Sequence, residues 1–196
     1  RCFVPTFLAL FMMAGAAQAE RRVALVIGNA NYGSVTPLKN PVNDARGVAK
    51  VLGELGFEVT LLTDLDKANF EQKVSAFANS LSGASAAVFY YAGHGMQVDG
   101  RNYLVPVDAK INDEADLPFE LVSIDIVMQR LAHHRITNIV ILDACRDNPL
   151  GHELSKKLGD RPLAVTHGLA PVSAGYATVV SYSTNANQTA LDGDGE

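Results

Sequence analysis

Two side chains whose types combine into a nucleophile stand just beyond apolar runs of this chain. His94 lies in Tyr90-Tyr91-Ala92-Gly93-His94-Gly95 and Cys145 in Asp143-Ala144-Cys145-Arg146-Asp147. The reactive form of a cysteine is the thiolate, and a nearby imidazole can take the thiol proton and later return it to a leaving amine. Gly95 leaves its backbone N–H unshielded. Together with the N–H of Cys145 it could form an oxyanion hole, a device worth ~3 kcal/mol per donor. Each residue also has a plain reading: a cysteine at a strand end is commonly a small core hydrophobe, and a histidine between glycines can fill a turn. Finding both where apolar runs break into polar sequence favours the dyad. Metal chemistry lacks a ligand set. The only cysteines are Cys2 and Cys145, too few for a four-cysteine zinc site or a disulfide framework, and the adjacent His133 and His134, expected mid-helix, lack ligand spacing.

The elements that must position this pair follow from periodicity. Val23 to Ile27 is a continuous apolar run ended by Gly28-Asn29, as expected of a parallel strand buried on both faces. Ala45, Val48, Val51, Leu52 and Leu55 have helical spacing before Gly56. Glu58 to Leu62 reads as a second strand, and Phe70, Val74, Phe77, Ala78 and Leu81 as a second helix. Ala86 to Tyr91 is a third strand, delivering His94. Ser123 is placed to cap a helix with the stripe Ile124, Val127, Met128 and Leu131. Thr137 to Leu142 is a fourth strand, delivering Cys145, and Ala177 to Tyr182 a fifth. Strands alternating with helices predict an α/β fold with an open, mostly parallel sheet and helices on both faces. Ligands of such sheets bind at the carboxyl ends of the strands, so the dyad requires the third and fourth strands to be neighbours. Asp99-Gly100 suggests a hairpin within Gln97 to Asp108, and Asn148 to Gly175 reads as a long functional loop.

The chain has 196 residues, 48% apolar and 19% charged, which suits one globular domain. Its formal charge of −5 argues against a nucleic-acid partner. Residues 1–19 read as a signal peptide: Arg1, an apolar stretch over 3–17, then Ala17-Gln18-Ala19 as cleavage site. The domain is then 20–196, exported to a periplasmic or extracellular compartment and off the membrane once the signal is cut. The alternative is an uncleaved anchor formed by 3–17, short for a span that needs ~20 apolar residues. The final Asp192-Gly193-Asp194-Gly195-Glu196 reads as a turn in progress, suggesting a longer parent chain. With Cys2 lost in the signal, Cys145 is the one remaining thiol, a liability in an oxidising compartment unless used or deeply buried.

The two motifs resemble those of the caspase superfamily, in which a Gln-Ala-Cys-[Arg/Gln/Gly]-Gly cysteine follows its histidine by ~50 residues. Here the separation is 51 residues. The resemblance covers about Arg22 to the end and implies His94 as general base, Cys145 as nucleophile and Gly95 as an oxyanion contributor. Where caspases carry Gln, this chain has Asp143. A carboxylate beside the cysteine would oppose thiolate formation, so its better use is to bind a cation. That pattern is similar to metacaspases and bacterial orthocaspases, which cleave after Arg or Lys. In that group a second acid comes from an Asn-Asp-Ala type motif, matched by Asn43-Asp44-Ala45. Two carboxylates suit a guanidinium, whereas Asp44 alone would read as a first-turn acid complementing a helix dipole. Lys156, Lys157 and Arg161 are sites where such an enzyme could cut itself, or simply a solvated basic loop. Ser181 to Asn187 resembles the family's substrate-binding loop, where an extended peptide adds as a strand.

The expectation is therefore a cysteine endopeptidase acting on peptides or proteins with Arg or Lys before the scissile bond. It requires no cofactor, although calcium activation, known among metacaspases, stays open. A catalytically silent caspase-like module that binds peptides or proteins is the alternative, and retention of both His94 and Cys145 speaks against it. A nucleotide-binding domain, suggested by Gly28 to Gly33, lacks both Gly-x-Gly-x-x-Gly and Gly-Lys-[Ser/Thr].

Overall fold

β-branched and aromatic runs fill a central sheet, and the chain crosses over through helices between them. The computed structural model describes residues 20–144, 165–166, 169–172, 175 and 177–183. In chain order its elements are β1 (Arg22–Gly28), α1 (Pro41–Glu54), β2 (Glu58–Thr63), α2 (Lys67–Ser80), β3 (Ala86–Ala92), β4 (Gly95–Val98), β5 (Arg101–Leu104), a 3-10 turn (Glu114–Asp116), α3 (Leu117–Glu120), β6 (Val122–Ser123), α4 (Ile124–Ala132), β7 (Thr137–Asp143), β8 (Val165–Thr166) and β9 (Thr178–Tyr182). The main sheet has the order β2-β1-β3-β7-β9, and every pairing in it is parallel. A smaller antiparallel sheet, β6-β5-β4-β8, sits at the carboxyl edge.

Alternation along the strands sends side chains to two layers. Val23, Leu25, Ile27, Phe89, Tyr91, Val140 and Leu142 meet α2 and α4 on one face. Ala24, Val26, Val88, Tyr90 and Ala92 meet Ala45 and Leu52 of α1 on the other, with Ile139 and Ile141 alongside. This is the expected α/β architecture, an open sheet with helices on both faces. The approach of α1 is close: a Cβ on Gly28 would collide with the Pro41 carbonyl and lie 2.8 Å from the Ala45 Cβ. Gly28 therefore serves helix–strand packing.

Several local expectations change. Val51 and Leu55 of the supposed α1 stripe are exposed, because the buried line runs through Pro41, Ala45 and Leu52, and each residue turns the helix by about 100°. Ser123 occupies the N-cap of α4 but makes no side-chain cap bond. His133 is the C-cap of that helix, so the histidine pair stands at its end rather than mid-helix. The hairpin turns at Asp99-Gly100 as expected, with φ of +48° and +75°, matching the positive dihedrals of a type I′ turn. The segment expected to be a long loop contributes β8, paired to β4 at Gln97 and Val98. The signal or anchor residues 1–19 lie outside the described residues, among which no helix is long and apolar enough to cross a membrane.

Candidate active site

β3 and β7 are adjacent and parallel, with Ala92 opposite Asp143. The three central strands finish level: Asn29 N–H donates to the Ala92 carbonyl at 2.9 Å and Gly93 N–H to the Asp143 carbonyl at 3.2 Å. Two tyrosines then hold the peptide of His94. Its N–H donates to the Tyr32 hydroxyl at 2.8 Å, and its carbonyl accepts from the Tyr91 hydroxyl at 2.9 Å and from Val105 N–H at 3.0 Å. The Tyr32 ring also lies against the imidazole, with centroids 4.6 Å apart. Burial, followed by the nearby Tyr32, pushes the Tyr91 phenol well above its ordinary pKa, so Tyr91 is a neutral donor. Gly93 is required between them: a Cβ there would lie 2.6 Å from each tyrosine oxygen.

The imidazole of His94 is only 3% exposed. Its Nε2 is 2.9 Å from the Thr36 carbonyl. A carbonyl only accepts, so Nε2 carries the hydrogen, and Nδ1 is then the nitrogen that bears the basic lone pair whenever the ring is neutral. Thr36 and Tyr32 belong to the same loop after β1, and polar side chains fasten the start of that loop. The Asn29 amide donates to the Leu65 and Val105 carbonyls and accepts from Leu65 N–H. The Asp64 carboxylate accepts from the N–H groups of Ala30 and Asn31 and from the Asn31 amide. Burial pushes the Asp64 carboxyl up, but those three donors outweigh it and hold it below the ordinary value.

Gly95 starts β4 against the end of β7. A Cβ on Gly95 would lie 2.7 Å from the Ala144 carbonyl oxygen and 3.0 Å from the Ala144 Cβ, with Leu169 Cδ2 at 3.4 Å. Gly95, the residue after His94, thus meets the residue immediately before Cys145, while Cys145 itself lies outside the described residues. Asp143 is half-buried, and strand alternation puts it on the α1 face with Ile139 and Ile141. Asp44 is half-buried in the first turn of α1. The two acids therefore share one face at one edge of the sheet. Lys156, Lys157, Arg161 and 184–187 lie outside the described residues, whereas Ser181 and Tyr182 belong to β9.

The site also contains residues that carried no recognisable motif. Thr36 contributes a main-chain atom, which leaves no trace in residue type, and Tyr32 lies in the Gly28 to Gly33 stretch that suggests only a nucleotide-binding domain. Tyr91 does lie in the histidine motif, but nothing in the motif marks its hydroxyl as a donor to the His94 carbonyl. No group of three or more His, Cys, Asp or Glu among the described residues could hold a metal ion.

Comparison with known proteins bears on the family and the fold. Residues 21–196 match the family model of the caspase domain. Mucosa-associated lymphoid tissue lymphoma translocation protein 1 from Homo sapiens is 34% identical over 128 residues, which are 65% of this chain and 15% of that protein. Its Mus musculus homolog is 33% identical over 128 residues, with the same coverage of 65% and 15%. The chain thus spans only a small part of these curated relatives. Among solved structures, protein GSU0716 from Geobacter sulfurreducens has a TM-score of 0.50 at 18% identity, covering 66% of this chain and 52% of that one. The Drosophila initiator caspase Dronc has a TM-score of 0.50 at 13% identity, covering 61% of this chain and 47% of that one. Both likenesses are of fold.

Proposed function

The chain belongs to the caspase-domain family, a cysteine-peptidase-type family, and from that premise we propose that it is an endopeptidase cutting after Arg or Lys. The observation that carries this reading is the junction of β3 and β7. Gly93 bonds to Asp143, and Gly95 abuts Ala144, so the histidine motif and the chain leading into Cys145 form one edge.

In the proposed reaction, Nδ1 of His94 takes the proton of Cys145 Sγ while Nε2–H remains on the Thr36 carbonyl. The thiolate adds to the carbonyl carbon of the scissile peptide, and the displaced electron pair resides on oxygen facing the N–H groups of Gly95 and Cys145. Collapse breaks the C–N bond, the imidazolium gives its proton to the departing amine, and an acyl-enzyme thioester remains. Water then attacks the thioester carbon, with His94 accepting its proton; the C–S bond breaks, the imidazolium protonates the departing sulfur to regenerate Cys145, and the new carboxylic acid loses its proton to solvent.

Asp44 and Asp143 would bind the basic side chain before the scissile bond. Their support is a shared face and edge, together with the replacement of the family's Gln by Asp143. Self-cleavage at Lys156, Lys157 or Arg161 would follow from the same preference, and export, with residues 1–19 as its signal, remains the proposed location. No cofactor enters the reaction as written, and calcium would act only as a modulator.

A positional peptide library run with wild type, Cys145→Ala and Asp143→Ala tests this reading. Cleavage should follow Arg and Lys, vanish in Cys145→Ala and lose its basic preference in Asp143→Ala. Cleavage by Cys145→Ala would overturn the nucleophile, and an unchanged preference in Asp143→Ala would overturn the pocket. A folded wild type that binds peptides without cutting any would favour the silent module.

A further inference from the structure

Asn102 lies in β5, remote in sequence from both motifs, and is buried at 2% exposure. Its amide closes a two-bond ring with one residue: Nδ2 donates to the Ala170 carbonyl at 2.7 Å and Oδ1 accepts from Ala170 N–H at 2.7 Å. Only a side chain that both donates and accepts at that length satisfies Ala170 this way. Aspartate lacks the donor, and leucine lacks both groups. A second grip comes from β9, where the Tyr182 hydroxyl donates to the Ala170 carbonyl at 3.2 Å and accepts from Val172 N–H at 2.9 Å.

The gripped segment walls the site. Leu169, next to Ala170, is fully buried, and its Cδ2 is 3.4 Å from the Cβ position of Gly95, while Ala144 closes the same position at 2.7 Å. Ala144 and Leu169 therefore both close the Cβ side of Gly95. Upstream of Leu169, β8 is already paired to β4, the strand that Gly95 begins. From these contacts we infer that Asn102 is a positioning residue: by fixing Leu169-Ala170 against Gly95 it holds the peptide whose N–H is the proposed oxyanion donor. This rests on the proposed role of Gly95 in the reaction, but the structural coupling from Asn102 to Gly95 does not.

An oxyanion donor displaced by a fraction of an ångström loses its effect on the transition state, and losing one such donor altogether lowers kcat by about 10²–10³-fold. Removal of the Asn102 clamp should loosen the donor without abolishing it. The expectation is a fall in kcat of roughly 10–100-fold with KM changed less than about threefold, because substrate ground-state binding does not depend on the oxyanion.

The experiment uses the full chain with Asn102→Asp and, as a milder variant that keeps the ring, Tyr182→Phe. Steady-state cleavage of an Arg peptide is measured beside alkylation of Cys145 by iodoacetamide, a reaction that forms no oxyanion. Hydrogen exchange is followed in peptides covering 93–98 and, for reference, 22–28. Expected are a fall in kcat, alkylation unchanged within about twofold, and faster exchange confined to 93–98. A kcat equal to wild type in Asn102→Asp, or exchange accelerated equally in both peptides, overturns the inference. If wild type cleaves nothing, the proposed peptidase fails, and exchange over 93–98 alone decides whether Asn102 holds Gly95.

Discussion

Replacing Gly93 by alanine tests the packing around His94 most severely. The new Cβ would stand 2.6 Å from both the Tyr32 and Tyr91 oxygens and 2.9 Å from Tyr91 Cζ, at a φ of +156°. Both rings are buried, so the clash is relieved only by moving hydroxyls that hold the two sides of the His94 peptide. Overpacking of this kind costs about 1–3 kcal/mol. Displacing the hydroxyls costs about 1 kcal/mol for each hydrogen bond, more where a buried N–H is orphaned. The sum is about 3–6 kcal/mol, a large part of the ~5–15 kcal/mol that stabilises a typical domain. For a chain of this length Tm should fall by roughly 6–24 °C. Urea unfolding of Gly93→Ala, Tyr32→Phe and the double variant measures it. Because Tyr32→Phe removes one of the colliding oxygens, the double variant should be about 1–2 kcal/mol more stable than the sum of the singles. A loss below about 1 kcal/mol for Gly93→Ala, or strict additivity, would refute the reasoning.

Two further outcomes follow from the described contacts. The Asp64 carboxyl is held below its ordinary value, so its stabilisation is complete above the unfolded pKa of about 3.9 and is lost as pH falls through the lower folded value. The stability difference between wild type and Asp64→Asn should therefore be constant from pH 5 to 7 and shrink below about pH 4, read from urea midpoints; a difference independent of pH contradicts it. At helix starts, Ser123→Ala should change stability by less than about 0.5 kcal/mol, because its hydroxyl makes no cap bond. Asp66→Ala should lower Tm measurably, because Asp66 accepts from Asn69 N–H at 2.7 Å; the reverse order in thermal melts would contradict this.

The sheet was legible because burial on both faces leaves continuous apolar runs. Val23 to Ile27, Ala86 to Tyr91 and Thr137 to Leu142 all became strands, and His94 stands at the carboxyl edge as topology required. Amphipathic detail was less legible. Val51 and Leu55 lie three and seven residues after Val48, a helical spacing, but only tertiary contact with Gly28 decides which stripe of α1 faces the sheet. Val165–Thr166 is too short to show a period, and it exists as a strand because β4 offers a free edge. The supports of His94 were the least legible, since Thr36 acts through its carbonyl and Tyr32 reaches His94 across 62 positions of sequence. Asn102 likewise gave no signal, because an asparagine in a short strand carries no mark of the backbone it satisfies.

The central claim is that His94 and Cys145 form a working dyad, and the most direct measurement is covalent labelling by an Arg peptide bearing an electrophilic ketone. Mass spectrometry of wild type should locate the adduct on Cys145, and excess Arg peptide should compete with it. In His94→Ala labelling should slow by roughly 10²-fold or more, since the thiol loses its base. No adduct on Cys145 in folded wild type, or equal labelling rates with and without His94, would contradict the account.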